Sequence, residues 1–279
     1  MIEAIGTVAQ GPLRQAARPL RVMGILNATT DSFWTKSRFV AAEDAIAAGA
    51  RMFELGAWAV DVGGESTRPG AVAVPAAEEL DRIAPIVAEL AGLGRVSVDT
   101  RHPEVAEAAV RLGASIINDV SGTLYPLASR FGVGYVGMHS RSLPVSADGY
   151  PRYDDVYDEV SRHLSGIASA AYSGGVSDVW VDPGIGFGKS PADNLRLLRR
   201  LPELCASGTP VLLGVSRKSF IGEVTGRSVE RRLAGSLALI GPAWAGGVDI
   251  IRVHDVEETI DTIAMLEAVW GSSRDADCL

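Results

Sequence analysis
The sequence is poor in cysteine, with only Cys205 and Cys278 among its 279 residues. The two lie far apart and Cys278 sits in a polar tail, which argues against a disulfide framework or a zinc site. A basic field is lacking as well: 26 Lys and Arg face 34 Asp and Glu, for a formal net charge of −8. That balance excludes non-specific nucleic-acid binding, which needs clustered cations to displace counterions. Among the basic residues lysine is scarce, represented by Lys36, Lys189 and Lys218 alone. No long apolar run is left unbroken. The longest, Leu233 to Ile251, is interrupted by Gly235, Gly241, Pro242, Gly246, Gly247 and Asp249, so it reads as a buried helix and a strand rather than a membrane span. The N-terminal M-I-E-A-I-G-T-V-A-Q has no basic region followed by an apolar core, so no signal peptide is expected. A reducing cytoplasm is the expected compartment.

What is present is an alternation. Short apolar runs exchange with longer amphipathic segments, the mark of βα units around a parallel sheet. The runs place strands at Arg21–Asn27, Ala57–Val62, Val96–Asp99, Ser115–Asp119, Tyr135–His139, Val179–Asp182, Val211–Val215 and Asp249–His254. Helical patterns fill the gaps at about Ala41–Leu55, Ala76–Ala91, Pro103–Leu112, Pro126–Phe131, Tyr153–Tyr172, Pro191–Cys205, Val229–Ala245 and Val256–Trp270. Strand and helix in eightfold alternation predict the α/β class and a (β/α)8 TIM barrel over an open doubly wound sheet. One domain is expected over 18–271, with 1–17 and 272–279 as loose ends.

In such a barrel the C-terminal strand ends carry the site. Those ends read Asn27, Asp61, Asp99, Asn118 with Asp119, His139, Asp182, Ser216 with Arg217 and Lys218, and Arg252 with His254. Each alone has a plain reading as a helix cap or turn former, but so many at one end point to a polar mouth. Asp99, Asn118 and Asp182 suit a flat heterocycle with several N–H donors, since each buried donor needs an acceptor. A metal cluster is the rival reading, although no His or Glu joins them at a ligand-like spacing. Lys218 and Arg252 supply cations above this base, and Arg252 with His254, on one face of the last strand by the period of two, together with Asn27 make a phosphate or diphosphate pocket. The structural alternative pairs Arg252 with its chain neighbours Asp249 or Asp255.

The run G-I-G-F-G-K-S, 184–190, looks like a phosphate loop, but the Walker pattern requires glycine at the position Pro183 occupies, so nucleotide triphosphate is rejected. Two loops, T-T-D-S-F-W-T-K-S after the first strand and D-V-G-G-E-S-T-R-P-G at 61–70, are candidates to close over the mouth.

The segments M-G-I-L-N (23–27), D-S-F (31–33), D-V-G-G-E-S-T-R-P-G-A (61–71), S-V-D-T (97–100), I-N-D-V-S-G (117–122), D-P-G-I-G-F-G-K (182–189), S-R-K-S-F-I-G (216–222) and R-V-H-D-V (252–256) together resemble the dihydropteroate synthase family, in order over about 20–270. The resemblance implies a TIM-barrel homodimer of the folate pathway. Its reaction condenses 6-hydroxymethyl-7,8-dihydropterin diphosphate with para-aminobenzoate and releases diphosphate. It assigns Asp99, Asn118, Asp182 and Lys218 to pterin binding, Met138, Phe187 and Gly214 to the pocket walls, and Arg252 to a cation over the pterin ring. It implies a diphosphate site at Asn27, Arg252 and His254, with Mg²⁺ held near Asn27 and Asp31. Thr67, Arg68, Pro69 and Ser219 match the para-aminobenzoate region. Lys218, Arg252 and Asp31 are the residues it implicates in catalysis. The implied mechanism is dissociative: diphosphate leaves first, and the aromatic amine attacks the resulting cation.

The first loop departs from the family pattern. Thr30 replaces a proline, and W-T-K-S at 34–37 replaces a glycine-containing segment. That departure keeps open a second reading, a pterin-binding paralogue with little synthase activity and a regulatory or partner-binding role. A pterin-dependent methyltransferase shares the barrel and the polar floor, but the S-R-K-S and R-V-H-D segments argue against it. No nucleic-acid or membrane partner is expected.

Overall fold
The computed structural model describes residues 19–28, 42–65, 73–141 and 150–271. Asp31, Thr67, Arg68 and Pro69, the rest of the first loop including Trp34, and the expected loose ends at 1–17 and 272–279 lie outside the described residues.

All eight expected strands are present: β1 (Arg21–Asn27), β2 (Ala59–Gly63), β3 (Val96–Asp99), β4 (Ile116–Asp119), β5 (Gly134–Met138), β6 (Val179–Asp182), β7 (Leu212–Gly214) and β8 (Ile250–Val253). They pair in parallel in the order β6-β5-β4-β3-β2-β1-β8-β7. The remaining seam is spanned by a parallel bridge between Val181 and Val211, which brings the sheet almost to closure. The helices are α1 (Ala42–Glu54), α2 (Ala76–Leu90), α3 (Pro103–Arg111), α4 (Tyr125–Phe131), α5 (Val156–Ser173), α6 (Pro191–Arg199), α7 (Leu201–Cys205), α8 (Ser219–Thr225), α9 (Leu233–Ala238), α10 (Ile240–Gly246) and α11 (Val256–Trp270). The architecture is the expected (β/α)8 barrel. No helix among the described residues is long and apolar enough to cross a membrane.

The strand period of two separates two cores. Val60, Val62, Val96, Val98, Ile117, Leu213 and Ile251 belong to the large core shared with the helices. Ala59, Ile116, Val136, Trp180, Leu212 and Ile250 pack with Met23 inside the barrel. One step of two further along those same strands stand Asp61, Asn118, Met138, Asp182, Gly214 and Arg252. The inward face therefore changes from an apolar floor to a polar mouth within a single pleat. Below the floor, Trp58 lies edge-on to Trp180 at 5.7 Å and is flanked by the guanidinium groups of Arg21 and Arg95, each 4.4 Å from a Trp58 ring.

Two expected helices are broken. Pro191–Cys205 divides into α6 and α7 at Arg200, because Pro202 has no N–H to continue the ladder. Val229–Ala245 becomes a 3₁₀ turn at Val229–Arg231 followed by α9 and α10, with Pro242 unable to donate to the Ala238 carbonyl.

Candidate active site
The mouth is organised around one guanidinium. Arg252 Nε donates to Asp61 Oδ2 at 2.6 Å and its Nη2 donates to Asp99 Oδ2 at 2.6 Å. Asn118 Nδ2 donates to the same Asp61 oxygen at 2.9 Å. The alternative pairing of Arg252 with Asp249 or Asp255 is therefore corrected: Asp249 faces Arg21 at 3.6 Å, and Asp255 binds Arg217 at 2.7 Å. The reason is the inward direction of position 252 on β8, which turns the side chain across the barrel. Burial works against charge on Arg252, but Asp61 and Asp99 outweigh it and push its pKa up. Burial also raises the Asp99 carboxyl to about 7, with Arg252 pulling the other way.

Beside this group stand Asp182 and Lys218. Asp182 Oδ1 accepts the Gly184 N–H at 2.7 Å, while a Cβ at Gly214 would lie 3.7 Å from both Asp182 Oδ2 and Lys218 Nζ. Glycine at 214 thus leaves the space between these two groups open. Lys218 Nζ donates to the Ile185 carbonyl and lies 4.7 Å from the centre of the Phe187 ring, a cation–π contact. Burial lowers the Lys218 pKa to about 8 despite the attraction of Asp182, and burial raises Asp182. Met138 is the register partner of Asp182 on β5 and is buried.

The glycine run after β6 serves these side chains rather than a phosphate. Gly184, Gly186 and Gly188 all have positive φ, and a Cβ at Gly184 would meet the His139 carbonyl oxygen at 2.0 Å. Lys189, only 1% exposed, donates from Nζ to the carbonyls of Gly184 at 2.9 Å, His139 at 3.2 Å and Phe187 at 3.3 Å. It staples the loop to the end of β5. Burial lowers its pKa to about 7. Nothing in the residue type distinguishes this lysine from a ligand-binding one; the signal was its place after three glycines, whose reversed backbone turns carbonyls inward.

Asn27 ends β1 beside Gly63 of β2, and His254 follows β8. The His254 amide and Nδ1 are 3.2 and 3.1 Å from Ser216 Oγ. Burial, reinforced by Arg252, Arg217 and Lys218, lowers its pKa to about 3, so the ring is neutral in ordinary buffers. Ser219 is exposed at the start of α8. Arg217 has φ of 56° and donates to both Asp255 oxygens at 2.8 and 2.7 Å, which fixes the turn that presents Lys218. Asp61 was legible as a strand end, but its central place in the hydrogen-bond network was not. A second polar cluster, Glu65, Glu79 and His102, brings one potential ligand atom from each within 4.8 Å. Glu65 already receives Arg101 through both oxygens and the Val74 amide at 3.0 Å, leaving it a poor metal ligand.

The family described as pterin binding enzyme matches residues 23–254. The dihydropteroate synthase of Escherichia coli (strain K12) is 41% identical over 274 residues, covering 95% of this chain and 97% of that protein. The Xanthomonas albilineans dihydropteroate synthase solved with 4-aminobenzoic acid superposes with a TM-score of 0.84 at 45% identity, over 92% of this chain and 95% of that one. The structure of that enzyme in complex with 7,8-dihydropteroate gives 0.81 at 42% identity with the same coverage.

Proposed function
The chain belongs to the pterin-binding enzymes, within the dihydropteroate synthase family, and from that premise we propose that it condenses 6-hydroxymethyl-7,8-dihydropterin diphosphate with para-aminobenzoate in folate synthesis. The observation that carries the reading is the convergence of Asp99, Asn118, Asp182, Lys218 and Arg252 at one barrel mouth, in a chain this similar to enzymes of that name.

Each side chain has a physical task in this reading. Asn118 spends its amide nitrogen on Asp61, which leaves its oxygen to accept an N–H from the pterin edge. Asp99 and Asp182 supply further acceptors, and a buried donor left without one costs about 1–3 kcal/mol. Phe187, Met138 and Gly214 bound the ring, and Lys218 meets it as a cation. The bond between the pterin methylene and the diphosphate oxygen breaks with its electrons going to diphosphate. The amine lone pair then forms the new C–N bond, and the amine proton leaves to solvent or to the departing diphosphate. Arg252 offsets the charge that develops on the leaving group, and neutral His254 and Asn27 bind it as polar groups.

Asn27 presents a hard amide oxygen at a strand end, the donor type Mg²⁺ accepts when substrate phosphates and water complete its shell. When bound, Mg²⁺ neutralises charge on the diphosphate. Asp31 is its proposed companion, and Thr67, Arg68, Pro69 and Ser219 are the proposed para-aminobenzoate contacts. A homodimer in the cytoplasm completes the reading, in keeping with the low cysteine content.

A coupled assay for diphosphate release tests this directly. The expected result is release that requires both para-aminobenzoate and the pterin diphosphate and that is lost when Lys218 or Arg252 is replaced by alanine. Tight calorimetric binding of the pterin diphosphate with no product on adding para-aminobenzoate would establish the non-synthase reading, to which the W-T-K-S loop gives a specific motive.

A further inference from the structure
Asp61 is fully buried, and one of its oxygens, Oδ2, accepts from both Arg252 Nε and Asn118 Nδ2. Its other oxygen has no hydrogen-bond partner among the described residues. Ser97, its register partner on β3, is equally buried and its hydroxyl is also unpartnered. A buried carboxylate with half its acceptor capacity unused is costly, and the inward residue one pleat below, Ala59, shows that the barrel packs here without polar groups. Asp99 is a second carboxyl on the same guanidinium, so the pair does more than supply a counter-charge.

The difference between one carboxylate and two is orientation. A single carboxylate at one nitrogen leaves the guanidinium plane free to roll. Bonds from Nε to a β2 residue and from Nη2 to a β3 residue fix both its direction and its roll, and leave Nη1 uncommitted among the described residues. The same Asp61 oxygen holds the Asn118 amide in the one orientation that offers its oxygen to a ligand.

We propose that Asp61 is a positioning residue of the pterin site: it presets the Arg252 guanidinium and the Asn118 amide in their ligand-binding orientations before substrate arrives. The consequence for the ligand rests on the pterin reading above; the presetting itself does not. Its benefit is preorganisation, since neither side chain has to be ordered when the heterocycle enters.

The test combines a ligand-free and a ligand-bound measurement on the full chain. In the wild type, the Arg252 Nε–H signal in a nitrogen–proton NMR spectrum, identified by its loss in Arg252→Lys, is expected downfield and slow to exchange. In Asp61→Asn, which keeps the shape and removes the charge, it should move upfield and exchange about tenfold faster or more. By calorimetry, Asp61→Asn is expected to weaken 6-hydroxymethyl-7,8-dihydropterin diphosphate binding about 30-fold. In an Arg252→Lys background the same change should cost clearly less than it does in the wild type, the remainder being the hold of Asp61 on Asn118. A wild-type Nε–H that exchanges as fast as an exposed arginine overturns the proposal without any variant, and so do fully additive losses in the cycle. A wild type that binds the pterin but shows no para-aminobenzoate-dependent diphosphate release sinks the synthase reading and leaves this one standing. If the wild type binds no pterin, the NMR comparison alone decides it.

Discussion
At the scale of single residues, the site trades the stability of charges for their placement. Lys218 is held beside Asp182 and against the Phe187 ring in a setting where burial favours the neutral amine, so its pKa falls to about 8. The ammonium form is present below that value and lost as pH rises through it. Because kcat/KM reports the free enzyme, kcat/KM for the pterin diphosphate should decline on the alkaline side with an apparent pKa of about 8. Lys218→Arg, which stays charged at any accessible pH, should retain some activity and show no such decline. An unshifted alkaline limb in that variant would assign the titration to another group. His254 enters differently: in the free site burial and the neighbouring cations hold its pKa down to about 3, so no change in kcat/KM between neutral and mildly acidic pH should be traced to it.

At the scale of elements, the β6–α6 connection shows how a loop positions chemistry. The positive-φ glycines let the loop turn so that the Gly184 and Phe187 carbonyls join that of His139 around Lys189, and the Ile185 carbonyl receives Lys218. Gly184→Ala would place a methyl 2.0 Å from the His139 carbonyl oxygen at a φ of +64°. The expected cost is about 3 kcal/mol or more, accompanied by loss of pterin binding because Phe187 and Ile185 move with the loop. Gly132→Ala provides the control: φ is +66°, but nothing lies within 4 Å of the added methyl. It ends α4 away from the mouth and should cost only about 1 kcal/mol with pterin affinity unchanged. Denaturant titrations paired with calorimetry separate the two outcomes; equal effects would mean that the loop has no special role.

At the scale of the whole molecule, the barrel surrounds its site with buried titratable groups, and acid stability reports them. Burial, followed by Lys189 and His163, depresses His139 to about 3 from an ordinary 6.5. Below 6.5 the unfolded chain takes up a proton that folded His139 refuses until about 3, so this residue's contribution to stability is lost as pH falls through that window. The slope reaches about 1.4 kcal/mol per pH unit. Burial raises Asp99, Asp182 and Glu79, and those groups act in the opposite direction, which makes a difference measurement necessary. Between about pH 6.5 and pH 4.5, the fall in Tm of His139→Gln should be shallower than that of the wild type. Parallel curves would show that His139 takes up its proton in the folded state after all.

Chain order and the period of two were enough to place the strands, and with them the barrel and the polar ends Asp99, Asn118, Asp182 and Arg252, because inward and outward positions alternate whatever the partners are. The motifs around these residues are specific enough to identify the family from the sequence alone. What only the tertiary structure decided was who meets whom. Asp249 and Asp255 are the carboxylates nearest Arg252 in the chain, yet its guanidinium goes to Asp61, 191 residues away, and to Asp99, 153 residues away. The sequence argued against a phosphate loop at 184–190, but the task of Lys189, three backbone carbonyls converging on its ammonium, is visible only in the fold. Periodicity records the direction a side chain takes from its own strand and nothing of the strand across the barrel. The pairing of charges depends on closure, which brings β2, β3 and β8 to face one another over a single mouth.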